Sequence, residues 1–255
     1  MNLLLINLGK LISLLTKILG LGSGATWPGH VVLKLNSKFL DKMEKKLKYG
    51  SIVISGTNGK TTTALLITSI LRDAGYKVLH NASGANLLNG IASSFITDAS
   101  CLNRLKANIG VFEIDEANLP IALKHFKPET VLLLNLSRDQ LDRYGEVEIM
   151  LEKWIDALKK LPKKTNLILN QEDHRLIKLA KKCTAQLGYF KLKENTNWPM
   201  PLLGDYNKLN TLAAVEVAKT LDAPIPTITK TLHNFKPAFG RGENFFYHDR
   251  NIKMF

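Results

Sequence analysis

Gly56-Thr57-Asn58-Gly59-Lys60-Thr61-Thr62 brings together the groups needed to hold a phosphate. It follows the β-branched run 52–55 and precedes a stretch with helical apolar spacing. A strand–turn–helix setting is predicted. Backbone N–H groups of a glycine turn and of a helix start converge there and bind anions. Lys60 adds a compact positive charge for β- and γ-phosphates, and the Thr61 hydroxyl can ligate Mg²⁺. The standard P-loop spacing asks for Gly at position 54, where Ile54 stands, so this is a shorter G-x-x-G-K-T cradle. An ordinary strand–helix turn with a capping Thr would account for the glycines and threonines, but not for Lys60.

Glu113 closes the apolar stretch 108–114. A carboxylate at the end of a buried strand is costly unless it is paired or holds a metal. In a P-loop sheet, an acid on a neighbouring strand end completes the Mg²⁺ shell. Lys60 and Glu113 are therefore the candidate catalytic residues, with Thr61 and Glu113 as Mg²⁺ ligands. Asp115 and Glu116 read as caps of the following helix. Asn135, Asp139, Gln140, Asp142 and Arg143 crowd a third loop. That loop could be a second patch of site residues or a solvated, charged connection.

These loops need a frame. Strands are predicted at 51–56, 77–81, 108–114, 130–136 and 165–170. Helices are predicted at 60–75, 86–96, 116–126, 146–161 and 174–183, the first closed by Gly75. Helix 146–161 carries an apolar face of Val147, Met150, Leu151, Trp154, Ile155 and Leu158. Continuous apolar strands alternating with helices imply an α/β fold with a parallel sheet covered on both faces. Ligands bind such sheets at the carboxyl ends of the strands, where all three loops fall. Residues 186–205 read as loop or edge structure, 206–221 and 224–234 as helices, and the last twelve residues as a hairpin turning near Asp249-Arg250-Asn251. The expected division is an N-terminal amphipathic helix and connector (1–48), a central nucleotide-binding domain (49–245) and the start of a further region (246–255). Within the first part, 20–30 reads as a glycine-rich connector and 36–48 as a short helix.

The formal charge of +13 attracts anions. The lysines are dispersed and no aromatic-interleaved basic ribbon is present, so nucleic acid is the lesser partner and an anionic membrane surface or substrate the better one. Eleven of the first twenty residues are Leu or Ile, with Asn7, Lys10, Ser13 and Lys17 at helical spacing. The central Lys10 argues against a spanning helix, and the missing basic start argues against a signal peptide. An amphipathic helix remains, lying on a membrane or packed on the domain. Cys101 and Cys183 form no C-x-x-C pair, so neither a zinc site nor a disulfide framework is expected.

"GTNGKTTT" after a strand, "FEIDE", "NLSRDQLDRYGE", "GDYNKLNTLAA" (204–214) and "PAFGRGE" (237–243) together resemble the ATP-binding domain of the Mur ligase family. The wording of "SGANLLNGIA" (83–92) and "RDQLDRYGE" is similar to its MurT branch, the ligase-like subunits of lipid II isoglutaminyl synthases. The resemblance implies ATP and Mg²⁺ as cofactors. It implies phosphates on Gly56, Thr57, Asn58, Gly59, Lys60, Thr61 and Thr62, Asn207 and Asn210 near the adenine, and Arg241 near the ribose or phosphates. It implies phosphorylation of the D-glutamate α-carboxylate of the lipid II stem peptide, then amidation by ammonia from a GatD-like glutaminase. A cytoplasmic location, peripheral at the inner membrane face, goes with it.

Two departures qualify the resemblance. The four-cysteine zinc ribbon typical of that branch is replaced by "KLKENTNWPMP", so no zinc is expected. The family's further C-terminal domain, which closes over ATP, is expected to be absent from a chain that reaches only Phe255, leaving it inactive alone. Gln140 stands where most other ligases of the family have His; Gln there is like the MurT branch and argues against a second metal site. Alternatives are another Mur-type ligase, such as a folylpolyglutamate synthetase relative, or a non-catalytic nucleotide-binding module.

Overall fold

A computed structural model describes residues 2–19, 26–81, 85–137, 144–192, 197–236, 244–247 and 250–253, with the backbone alone for 144–146 and for the last two segments. Six parallel strands form the central sheet: β1 (Ser51–Ser55), β2 (Val78–His80), β3 (Ile109–Glu113), β4 (Thr130–Leu133), β5 (Asn166–Asn170) and β6 (Gln186–Phe190). Their order is β2-β3-β1-β4-β5-β6. β1 therefore lies between β3 and β4, with Ile54 opposite both Glu113 and Leu132. The chain leaves β1 towards one edge and returns on its other side, which opens a crevice at the carboxyl end of β1.

Strand residues alternate between two cores, as the period-2 geometry of a strand demands. Val53, Phe112, Val131 and Leu167 enter one core. Among the described residues, that core is completed by α2 (Trp27–Leu35), α3 (Phe39–Glu44), α5 (Leu88–Asp98), α6 (Leu119–His125), α7 (Tyr144–Leu158) and α8 (His174–Ala180), with Leu5 and Ile6 from the N-terminal helix. Ile52, Ile54, Val111 and Leu132 enter the other core. It is covered by α4 (Lys60–Asp73), α9 (Asp205–Lys219) and α10 (Ile225–Asn234). Trp154 and its neighbours on α7 are buried as its spacing predicts, with Met150 half-buried beside them. The α4 helix ends at Asp73 with Ala74 as its C-cap, and Gly75 beyond it, with a φ of 91°, provides the left-handed exit.

The connector expected at 20–30 is corrected from Trp27 onward, where α2 begins. Pro28 stands at the first helical turn, where its missing N–H costs nothing. Gly29 lies so close to α5 that a Cβ would strike the Asn89 carbonyl, and its N–H donates to Ser93 Oγ at 2.9 Å. A composition that suggests a turn is here a helix–helix contact. The helix expected at 36–48 shrinks to α3, because Asn36 leaves the helical conformation and its Oδ1 accepts from Lys38 N at 3.1 Å. Residues 186–190 take the edge option, as β6.

The first helix, α1 (Asn2–Ile18), packs on α2 and α5 through Leu5, Ile6 and Gly9. No helix among the described residues is long and apolar enough to cross a membrane. The predicted C-terminal hairpin is present as β7 (Asn244–Tyr247) and β8 (Arg250–Lys253), antiparallel with Tyr247 opposite Arg250.

Candidate functional site

The glycine turn joins β1 to α4. Gly56 has φ 146° and Gly59 φ 87°, the latter as the residue that starts the helix. A Cβ on Gly59 would collide with the Asn210 side chain. Glycine is therefore required there both by conformation and by space.

The turn is clasped to the segment that follows β4. Asn58 N donates to Asn135 Oδ1 at 2.9 Å, and Asn135 Nδ2 donates to Asn58 O at 3.0 Å. Thr57 N donates to Asn135 O at 3.1 Å, and Ser137 N to Thr57 Oγ1 at 3.1 Å. Asn135 is thus a structural member of the cradle. Asp139, Gln140, Asp142 and Arg143 lie outside the described residues.

Lys60 folds back over the turn. Its Nζ donates to Gly56 O at 2.5 Å and Thr57 O at 3.1 Å, and pairs with Glu116 Oε2 at 3.1 Å. The expectation that Glu116 caps a helix is corrected. Asp115 does the capping-type work, its Oδ1 accepting from Ala117 N at 3.1 Å. Glu116 is held from behind by the buried Trp154, whose Nε1 donates to the Glu116 carbonyl at 2.9 Å. Its carboxylate is left to reach the cradle.

Glu113 is 2% exposed, and its Oε2 is buried without a hydrogen-bond partner. Its backbone is pinned by Asn81: Glu113 N donates to Asn81 Oδ1 at 3.0 Å and Asn81 Nδ2 to Glu113 O at 2.9 Å. Ser55, next to the glycine turn, donates through Oγ to Ile114 O at 2.9 Å. A rigid strand end carrying an unsatisfied carboxylate oxygen is suited to a hard cation. Mg²⁺ commonly takes only one or two protein groups and completes its shell with phosphate oxygens and water. Glu113 together with Thr61, half-buried in the first turn of α4, fits that demand. Among the described residues no group of three or more His, Cys, Asp or Glu side chains is gathered as a metal site.

Beside the turn lies a cleft lined by Asn58, Gly59, Asn135, Tyr206 and Asn210. Asn207 and Asn210 are buried on α9, 4% exposed each. Asn207 Nδ2 donates to Leu203 O at 2.7 Å, and Asn210 Nδ2 lies 3.5 Å from Asn207 Oδ1. The structure thus brings Asn210 to the glycine turn, with Asn207 one helical turn behind it. Thr62 sits half-buried beside Thr61. Arg241 lies outside the described residues. Residue-by-residue reading of the sequence missed Asn81, Glu116 and Tyr206. The Asn81 and Glu116 contacts join distant segments and leave no local spacing signal.

The sequence signature of the Mur ligase middle domain matches residues 54–199, which include the turn, Glu113 and Asn135. The Streptococcus pneumoniae lipid II isoglutaminyl synthase (glutamine-hydrolyzing) subunit MurT is 30% identical, over 92% of this chain and 66% of that protein. Its Staphylococcus aureus (strain COL) namesake is 36% identical over 66% of this chain and 37% of that protein. The chain thus spans less than two thirds of the length of these curated relatives. Among solved structures, MurF from Acinetobacter baumannii superposes with a TM-score of 0.72 at 20% identity, over 88% of this chain and 54% of that one. Thermotoga maritima MurF in complex with ADP gives 0.70 at 18% identity, over 88% and 57%. A matching middle-domain signature over more than half the chain, with the phosphate turn on the central strand of the expected parallel sheet, has one meaning: the chain belongs to the Mur ligase family.

Proposed function

We propose that the chain is the ATP-binding portion of a MurT-like carboxylate–amine ligase of peptidoglycan synthesis. In this reading the α-carboxylate of D-glutamate in the lipid II stem peptide attacks the γ-phosphate of ATP, the bond to the β–γ bridging oxygen breaks, and ADP leaves as the acyl phosphate forms. Ammonia supplied by a GatD-like glutaminase subunit then displaces phosphate from the acyl phosphate, giving the amide. A bare carboxylate resists ammonia because oxide is a poor leaving group, and phosphorylation removes that obstacle. The cytoplasmic side of the membrane is the location this reading implies.

Each described residue has a task. The Gly56–Thr62 backbone binds phosphate oxygens through N–H groups already fixed by Asn135. Lys60 leaves Glu116 and meets charge on the transferring phosphoryl group. Thr61 and Glu113 would hold Mg²⁺, which when bound neutralises phosphate charge. Asn207 and Asn210 flank the adenine, and Arg241 the ribose or phosphates. The observation that carries the reading is the buried, unpartnered Glu113 oxygen on the strand beside a glycine turn that carries Lys60.

Equilibrium binding of a fluorescent, non-hydrolysable ATP analogue tests it. Lys60→Ala should weaken binding at least about thirtyfold, the effect of truncating one partner of a buried charged contact. Glu113→Gln should keep the fold and lose the dependence of affinity on Mg²⁺. Unchanged binding in both variants would overturn the site. Glutamine-dependent conversion of lipid II to its amide, followed by mass spectrometry with a GatD-like partner present, tests the substrate.

A further inference from the structure

α1 is amphipathic in an unusual direction: apolar residues occupy both of its faces. Leu5, Ile6 and Gly9 look inward, onto α2 and α5. Leu4, Leu8, Leu11, Leu15 and Ile18 follow one another at intervals of four and three, which keeps them on one stripe of a helix. They are between 37% and 72% exposed. Leu14, 55% exposed, widens the stripe. This apolar stripe is held outward by a rigid seat. Asn7 Nδ2 donates to Cys101 O at 3.2 Å and tethers α1 to the segment after α5. Leu102, beside that tether, is 70% exposed and extends the apolar surface.

The charge around the stripe has one sign. Residues 1–40 contain no Asp or Glu, but carry Lys10, Lys17, Lys34 and Lys38. None of these four is in an ion pair among the described residues. On the neighbouring segment Arg104 and Lys106 are exposed. Asp41 on α3 and Asp98 at the end of α5 are already engaged: Asp41 with Lys45 at 3.0 Å, and Asp98 Oδ2 with the N–H groups of Lys106 and Ala107 at 2.9 and 3.1 Å. Two copies of such a surface would repel each other through their basic surroundings. An acidic apolar interface would attract it.

We propose that the outward face of α1 lies in the plane of an anionic lipid bilayer, with its leucines among the acyl chains and its lysines at the headgroups. The helix is too short and too interrupted by Lys10 to span. It has the form of an interfacial helix, whose apolar face enters the headgroup–acyl boundary while lysine stems extend to the polar layer. Its inward face, unlike that of a free amphipathic peptide, is already committed to the protein. The domain would therefore be fixed in one orientation on the membrane rather than tethered loosely. This inference stands apart from the nucleotide reading and shares no residue with it.

Cosedimentation of the full chain with phosphatidylglycerol-containing and with pure phosphatidylcholine vesicles tests it. The protein should prefer the anionic vesicles at least tenfold, and high salt should erase the preference. K10Q/K17Q should weaken binding roughly fivefold per lysine removed. L4Q/L11Q/L15Q, which changes only exposed side chains, should reduce binding to background. Its thermal melting and ATP-analogue affinity should stay those of the parent. Equal binding to both vesicle types would overturn the proposal, as would full binding by the leucine variant. Dimerisation that disappears in the leucine variant, without vesicle binding, would overturn it in favour of an interface between copies.

Discussion

If the glycine turn binds phosphate as proposed, the Lys60–Glu116 pair is a competitor built into that site. Lys60 is 14% and Glu116 21% exposed at the side chain, so the pair is neither a loose surface contact nor fully dry. Phosphate must draw the ammonium away from a carboxylate that Trp154 holds in place through its backbone. Glu116→Gln removes the competing charge and a negative group near the incoming phosphates. The expected result is ATP-analogue affinity tightened about threefold, the scale of a partly screened ion pair. Isothermal titration with and without Mg²⁺ would check this. A loss of Mg²⁺-dependent affinity would instead place Glu116 among the metal ligands. The side chain of its neighbour Asp115 makes local capping contacts, with Ala117 N and Asn118 Nδ2. The two acids are adjacent in sequence and unlike in role.

Among the elements, β1, the turn and α4 act as one unit, and α9 closes it. Gly59→Ala would place a methyl against Asn210 in a backbone region that L-residues rarely occupy. The expected cost is about 1–3 kcal/mol of stability together with loss of ATP-analogue binding. Adding Asn210→Ala should recover the steric share alone, leaving the backbone strain. Denaturant titration of the single and double variants separates the two. Much of this unit was legible in the sequence. A β-branched run, a Gly-x-x-Gly turn and a lysine at a helix start carry their conformations locally. The α7 face was legible for the same reason, since Val147, Leu151, Trp154, Ile155 and Leu158 repeat at helical spacing. What stayed hidden depends on contacts made elsewhere. Trp27-Pro28-Gly29 has a turn composition and becomes a helix start because Gly29 seats α2 on α5. Asn81 gains its role only when β2 lies beside β3. Asn207 and Asn210 were reached through family likeness, and no local spacing tied them to the phosphate turn.

For the whole molecule, a pH-sensitive point lies away from the candidate site. Glu44 on α3 is buried, with Ser51 Oγ donating to Oε1 at 2.5 Å and Lys127 N donating to Oε2 at 2.8 Å. Burial pushes its carboxyl above the ordinary value of 4.5, and the two hydrogen bonds only oppose that rise. The folded state therefore holds this proton more tightly than the unfolded state. Its contribution to stability is fully present below the unfolded pKa and is lost as pH climbs through the raised folded pKa. Glu44→Gln keeps a neutral side chain at every pH. Its melting temperature relative to the parent should rise from about pH 4 towards pH 7. A constant difference across that range would argue against a titrating Glu44.

The Asn58–Asn135 clasp has a consequence for the order in which the protein is made. Its two residues are 77 positions apart. During synthesis the glycine turn leaves the ribosome well before the strand that shapes it. Closing so long a loop is slow and entropically costly compared with local helix formation. On this argument the clasped shape of the turn is expected to form late in folding rather than to nucleate it. A nucleotide bound as proposed would then stabilise only molecules whose central sheet has already closed. Occupancy of the site would then mark a finished domain, and half-made chains would leave the cellular nucleotide pool untouched.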